Sequence, residues 1–86
     1  MLTLHITKPA LKTLRKLPAG IATRIRRELD LIAANPAAYR GDWKPLQGEA
    51  NVWRLRVGDW RVLCELQHGE LRLLVIKIAA RGGAYK

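Results

Sequence analysis

The stretch VWRLRVGDWRVLCEL, residues 52–66, constrains the fold of this chain more than any other. Apolar and polar residues alternate on both sides of Gly58-Asp59, a glycine-first pair that suits a tight hairpin turn. The predicted cross-strand pairs on one face are Val57 with Trp60, Leu55 with Val62, and Trp53 with Cys64. Because these side chains are apolar, we expect an antiparallel hairpin with this face turned toward a core.

The other face of the hairpin is basic. Arg56 is predicted to lie directly opposite Arg61, with Arg54 one pleat further along and no acid between them. Like charges set opposite each other across two strands destabilise a sheet. Two such arginines could simply be solvated side chains on an exposed sheet surface. Three on one face favour a bound anion, because a phosphate relieves the repulsion between them and fits the forked guanidinium group. Arg81 and Tyr85 follow the last predicted strand and can fold back to extend this candidate site.

A strand and two helices are predicted upstream of the hairpin. LTLHI, residues 2–6, alternates apolar residues as a half-buried strand does. Thr7 before Lys8-Pro9 is typical of a helix start, and Pro18 separates this helix from a second one that ends at Asn35-Pro36. The apolar stripes are Ala10, Leu11, Leu14 and Leu17 on the first helix and Ile21, Ile25, Leu29 and Ile32 on the second.

The remaining segments complete an α+β order. Residues 36–51 have no clear period and hold turn residues throughout, which predicts a loop. LRLLVIKI, residues 71–78, predicts an interior strand covered on both sides, after a turn at His68-Gly69. The pairs predicted for it are Glu65 with Arg72 and Val62 with Val75. An N-terminal strand, a helical hairpin and a three-stranded antiparallel meander therefore predict one domain over residues 1–86, with a single sheet and the helices on one face.

The charge balance favours a polyanionic partner. Sixteen Lys and Arg against seven acids give a formal net charge of +9 on 86 residues, which attracts phosphate groups. No apolar run approaches the roughly 18–20 residues that cross a bilayer, and the N-terminal stretch lacks the plan of a signal peptide. We therefore expect no membrane partner and a cytoplasmic protein in which the lone Cys64 is a small core residue.

Most catalytic and cofactor chemistries find no support in the sequence. One cysteine and two widely separated histidines, His5 and His68, give no ligand pair with metal-site spacing, so we expect neither a metal nor another cofactor. The chain has no serine for a triad, no Gly-rich phosphate loop and no obvious pair of carboxylates. Trp53 and Trp60 fall on the predicted core face. The sequence does not decide whether Trp43 packs over the edge of the core or contacts a ligand.

Four motifs follow one another along nearly the whole chain: LRKLP, then NP with KPLQG, then the hairpin stretch, and finally VIKIAARGGAY. Together they resemble the RelE/ParE superfamily of bacterial and archaeal toxins. The resemblance implies the toxin of a type II toxin–antitoxin system, held inactive by a cognate RelB-like antitoxin. RelE-like members cut messenger RNA in the ribosomal A site without a metal, by attack of the RNA 2′-hydroxyl on the adjacent phosphate. Ribosome and messenger RNA are thus implied partners, as is a toxin–antitoxin hetero-oligomer bound to operator DNA through the antitoxin.

The resemblance also implies site residues. Family members of this branch carry basic residues on the first hairpin strand, an arginine after the turn, a basic residue past the last strand and a C-terminal tyrosine. Guanidinium groups can stabilise the charge that builds on a scissile phosphate, but arginine is a poor base, so the proton acceptor stays open. The implied catalytic residues are Arg54, Arg56, Arg61, Arg81 and Tyr85, and the implied RNA- and phosphate-binding residues are Arg54, Arg56, Lys44 and Lys77.

Two other functions stay open from the sequence. A ParE-like toxin would inhibit DNA gyrase by binding protein and would cut nothing. A plain RNA-binding module would also account for the charge, but it does not explain why the arginines are confined to one sheet face. Arg61, Arg81 and Tyr85 together favour the nuclease branch.

Overall fold

The structure, a computed structural model, describes residues 1–80. The α+β class predicted from the sequence is confirmed. The helices and strands in chain order are β1 (Thr3–Ile6), α1 (Lys8–Lys16), α2 (Ala19–Ala34), β2 (Trp43–Pro45), β3 (Val52–Val57), β4 (Trp60–Gln67) and β5 (Arg72–Ala80). Short 3-10 turns at Pro36–Ala38 and His68–Glu70 join some of them.

The strands form one sheet in the order β1-β5-β4-β3-β2. The predicted meander of β3, β4 and β5 is confirmed, and β1 joins its far side parallel to β5. Both helices pack on one face of this sheet, where their apolar stripes meet the inward side chains of the strands. The buried core consists of Ala10, Leu14, Ile25, Leu29, Ile32, Ala33, Leu55, Val57, Val62, Cys64, Leu66, Leu73, Val75 and Ile78.

The helix ends follow the predicted local signals. The Thr7 hydroxyl accepts a hydrogen bond from the Ala10 N–H at 3.4 Å and so satisfies one of the free donors of the first turn of α1. Pro18 precedes α2 and Asn35 caps its last turn, because proline cannot continue the first helix and Pro36 stops the second. Neither α1 nor α2 is long and apolar enough to cross a membrane.

The loop predicted over residues 36–51 is wrong at one point, because Trp43–Pro45 form the edge strand β2. This strand pairs antiparallel with β3, with Lys44 opposite Arg54. The Trp43 ring stacks on Trp53 with centroids 5.2 Å apart and an interplanar angle of 17°. Three residues are too few for alternation to reveal a strand, and Pro45 is tolerated only because β2 lies at the edge.

The register predicted for β5 is also wrong. Glu65 lies opposite Leu74 and Val62 lies opposite Ile78, in place of the predicted Arg72 and Val75. The connection is longer than a two-residue turn, because a 3-10 turn is followed by a left-handed residue, Leu71 with φ of 51°. A bulge in the β4–β5 ladder, next to Leu63 and Cys64, adds a further shift of one residue.

The interior position predicted for β5 is confirmed, since it lies between β1 and β4. Its cover is uneven, however. Leu73 and Val75 are fully buried against the helices. Two other residues of this strand are less covered: Leu74 is half-buried and Ile76 is 38% exposed. The expectation that both faces are covered is therefore correct only for the helix side.

Cys64 is a core residue, as predicted, and its environment gives a testable result. The thiol is fully buried, and this burial raises its pKa to about 12. Because its pKa is raised, the Cys64 thiol stays protonated in the folded state. In the unfolded state the thiol ionises above its ordinary pKa of about 8.5, so only above that pH does its ionisation lower the free energy of unfolding. We expect a thiol reagent at pH 8 to modify native protein far more slowly than protein in guanidinium chloride. Equal rates in the two conditions would contradict the buried position.

Candidate phosphate-binding site

The sheet face that points away from the helices, called the outer face below, carries the predicted basic residues of the described chain. Arg54 and Arg56 on β3 and Arg61 on β4 lie on it, because the residues that alternate with them are buried in the core. Cross-strand pairing brings Lys44 of β2 and Lys77 of β5 to the same face. The fold thus places five predicted site residues on a single surface.

Arg56 and Arg61 lie directly opposite each other, as the hairpin register predicts. The Arg56 N–H donates to the Asp42 carbonyl at 3.0 Å, on the side of β2, and therefore does not bond across to Arg61. In such a non-hydrogen-bonded pair the Cα atoms are about 4.5 Å apart and the side chains are at their closest. The turn that permits this pairing depends on Gly58, whose φ of 59° is left-handed. The backbone thereby brings two arginine side chains next to each other on this face.

Burial distinguishes the three arginines. Arg56 is exposed and Arg54 is half-buried, whereas Arg61 is only 9% exposed. The sequence carries no signal for this difference, so the position of Arg61 is a finding of the structure. An arginine stays protonated in a protein, and its attraction for an anion increases as water is removed from around it. Arg61 is therefore the strongest candidate for the centre of an anion site.

An acid reaches this face from outside the hairpin. Asp42 lies just before β2, and its Oδ1 is 2.9 Å from Nη2 of Arg54. The side chains are 16% exposed for Arg54 and 37% exposed for Asp42. Sequence reasoning missed this contact because Asp42 belongs to the segment predicted as loop, and only the unrecognised strand β2 brings it beside β3.

The opposite end of the outer face is less basic. Gln67 Nε2 donates to Glu65 Oε1 at 2.7 Å, and Arg72 Nη1 pairs with Glu70 Oε2 at 3.2 Å. Positive charge therefore increases from this end toward the hairpin turn. The described residues contain no cluster of three or more metal-ligating side chains.

Two predicted site residues, Arg81 and Tyr85, lie outside the described residues, and their places remain predictions. The described chain ends with Ala79 opposite Arg61 and Ala80 opposite Trp60, beside the hairpin turn. Trp53 and Trp60 pack against the core as predicted, and Trp43 joins them through its stack on Trp53.

Comparisons with known proteins agree with this fold. The family model of the ParE toxin of type II toxin–antitoxin systems, parDE, matches residues 4–85. The protein RelE1 of Methanocaldococcus jannaschii is 31% identical over 83 residues, which cover 95% of this chain and 92% of RelE1. A chain of the RelE–RelB complex from Pyrococcus horikoshii has a TM-score of 0.81 and 25% identity, with 95% of this chain and 97% of that one covered. The isolated E. coli RelE toxin has a TM-score of 0.82 and 17% identity, with coverages of 94% and 85%.

Proposed function

This chain belongs to the RelE/ParE superfamily of type II toxin–antitoxin toxins, and we propose that it is a ribosome-dependent endoribonuclease that cleaves messenger RNA. The observation that carries the proposal is the Arg56–Arg61 pair, fixed on the outer face with one guanidinium nearly buried. A gyrase inhibitor needs a protein-binding surface, whereas two arginines at directly opposite positions of neighbouring strands fit a phosphate. Under this proposal the toxin acts in the cytoplasm, on messenger RNA in translating ribosomes.

The reaction requires charge stabilisation more than it requires a cofactor. The RNA 2′-oxygen attacks the adjacent phosphorus, a new O–P bond forms, and the bond from phosphorus to the 5′-oxygen breaks. The products are a 2′,3′-cyclic phosphate and a 5′-hydroxyl, with one proton leaving the 2′-oxygen and one joining the 5′-oxygen. We assign Arg61 and Arg56 to the non-bridging oxygens, where negative charge builds up. Arg81 and Tyr85 stay assigned by resemblance, with Tyr85 as base-stacking group or proton donor.

The other basic residues extend the proposed site along the RNA. Lys44, Arg54 and Lys77 lie in one row across β2 to β5, a distance of three inter-strand steps or about 14 Å. We assign this row to backbone phosphates on either side of the cleaved one. Such contacts add affinity that falls as salt rises.

The family implies an antitoxin partner, and we propose that its inhibitory segment occupies the outer face. An acidic segment, or one that folds there on binding, would take the place of the RNA phosphate between Arg56 and Arg61. A RelB-like antitoxin would also carry the complex to operator DNA.

The test is to incubate the purified toxin with messenger RNA, with and without programmed ribosomes, and to map the transcript ends. We expect cuts only when ribosomes are present, and a prompt arrest of protein synthesis when the toxin is induced in cells. Continued translation together with gyrase–DNA adducts would contradict the proposal and support the ParE-like alternative. Binding to RNA without any cut would support the plain RNA-binding module.

A further inference from the structure

We infer that Asp42 is a positioning residue of this site, which holds the guanidinium of Arg54 in the orientation that meets an RNA phosphate. The inference deepens the proposed function and rests on it. Asp42 does not itself contact RNA in this proposal; it acts through Arg54, to which it is joined by the 2.9 Å contact.

One backbone hydrogen bond and one ring stack hold the segment around Asp42 against β3. The Asp42 carbonyl accepts the Arg56 N–H at 3.0 Å, so the same residue contacts Arg54 through its side chain and Arg56 through its main chain. The next residue, Trp43, stacks on Trp53 of β3. Because the Asp42 main chain and the following residue are both attached to β3, the carboxylate stays within reach of Arg54.

The segment that carries Asp42 is also attached to the helical layer. The Tyr39 hydroxyl donates a hydrogen bond to Glu28 Oε1 on α2. Burial and this hydrogen bond raise the pKa of Tyr39, so the phenol keeps the proton it donates. Residues 39–43 are therefore anchored to α2 at one end and to β3 at the other, which makes Asp42 part of the rigid framework.

The contact leaves Arg54 able to bind an anion. A guanidinium carries five N–H donors, and the bond to Asp42 engages Nη2 alone. The remaining donors can meet a phosphate, while the carboxylate offsets part of the repulsion that Arg54 would feel from Arg56 and Arg61. An arginine oriented before binding loses less side-chain freedom when the RNA arrives. This favours a positioning role over that of a built-in competitor for the phosphate.

The test compares Asp42→Ala, Asp42→Asn, Arg54→Ala and the Asp42→Ala/Arg54→Ala double variant in single-turnover cleavage on programmed ribosomes. We expect Asp42→Ala to slow cleavage about tenfold, the loss typical of one charge-assisted hydrogen bond. Asp42→Asn should lose less than Asp42→Ala, because its amide oxygen still accepts from Arg54 although it carries no charge. In the Arg54→Ala background, Asp42→Ala should cause no further loss, because the residue acts through Arg54.

Asp30→Ala is the matched control. Asp30 also pairs with an arginine, Arg26, at 3.7 Å, but on the exposed face of α2. This variant should cleave at the wild-type rate. Two results would overturn the inference: faster cleavage by both Asp42 variants, which indicates a competitor for phosphate, or an equal loss from Asp42→Ala with and without Arg54, which indicates a general structural role.

A second measurement separates this inference from the proposed function. The Nη2–H signal of Arg54 in NMR spectra of the free protein reports how firmly its guanidinium is held, because Nη2 is the atom that contacts Asp42. We expect a sharp, slowly exchanging signal in wild type and in Asp42→Asn, and a broadened one in Asp42→Ala. An unchanged signal in Asp42→Ala overturns the positioning role whatever the activity. Failure of the wild-type protein to cut RNA on ribosomes overturns the proposed function instead.

Discussion

Replacing Arg61 with alanine should slow single-turnover cleavage of messenger RNA on programmed ribosomes by about 10²–10³-fold, the usual loss for one positioned donor to a developing negative charge. Arg61 is nearly buried, and it lies on β4 between Arg56 of β3 and Ala79 of β5. Lysine at this position should restore only part of the rate, because an ammonium replaces the two-pronged guanidinium with a single point charge.

Controls for this prediction use the same sheet face. Arg72→Ala removes an outer-face arginine that pairs with Glu70, away from the hairpin turn, and it should cleave at close to the wild-type rate. Because Arg61 is buried, its alanine variant will leave a cavity, so thermal melts must accompany each rate. Arg61→Lys fills most of that space and should melt near wild type. An Arg61→Ala protein that stays folded and cuts normally would show that the outer face is not the catalytic surface.

Arg81→Ala should show a loss of the same order, by the same reasoning from charge. This expectation comes from the sequence and its resemblance alone, since Arg81 lies outside the described residues. The comparison of the two alanine variants asks whether the end of the chain belongs to the site that Arg61 and Arg56 form. Near-equal losses, with no further loss when both are combined, would place the two side chains on one phosphate.

Local signals were sufficient to predict the elements that local physics determines. Gly58 is needed for the tight turn, and the turn fixes the register of the hairpin, so the Arg56–Arg61 pair follows from the sequence alone. Thr7 and Pro18 set helix limits because a hydroxyl cap and a missing N–H act within one turn. Alternation alone assigned Arg54 and Arg56 to the face opposite the core.

Other features depended on contacts between distant segments and could not be predicted in the same way. Strand β2 has three residues and is held by its pairing with β3 and by the Trp43–Trp53 stack. The register of β5 depends on the left-handed Leu71 and on the bulge near Cys64, neither of which has a strong sequence signature. Between this turn and the bulge the predicted register is wrong by two residues, an even number that leaves each side chain on its correct face.

The site shows the same division. The basic character of the outer face follows from the hairpin sequence, whereas the burial of Arg61 and the contact of Asp42 follow from tertiary packing. Asp42 is separated from Arg54 by a segment of changing direction, so no periodicity relates the two. The contact between Asp42 and Arg54 therefore becomes visible only when the edge strand β2 has been placed beside β3.

The antitoxin should raise the stability of this toxin by a large amount. A ligand that binds only the folded state stabilises it by roughly 3–4 kcal/mol at 100 to 1,000 times its dissociation constant. For a domain of this size that corresponds to an increase in melting temperature of more than about 10 °C. Two properties of the chain limit the stability of the free toxin and so make the increase easy to detect. Its small size limits the fraction of surface that it can bury, and with a net charge of +9 its cationic side chains repel one another.

The charge also supplies the control for this last prediction. Seven acids cannot offset sixteen Lys and Arg, so repulsion among the cations opposes folding of the free toxin. Added salt alone should therefore raise its melting temperature by screening that repulsion. A polyanion of the same charge as the antitoxin should act only to that extent, because it screens charge without a folded segment that fits the toxin surface. If saturating antitoxin raised the melting temperature no more than the polyanion does, its binding would be electrostatic and would not recognise the fold.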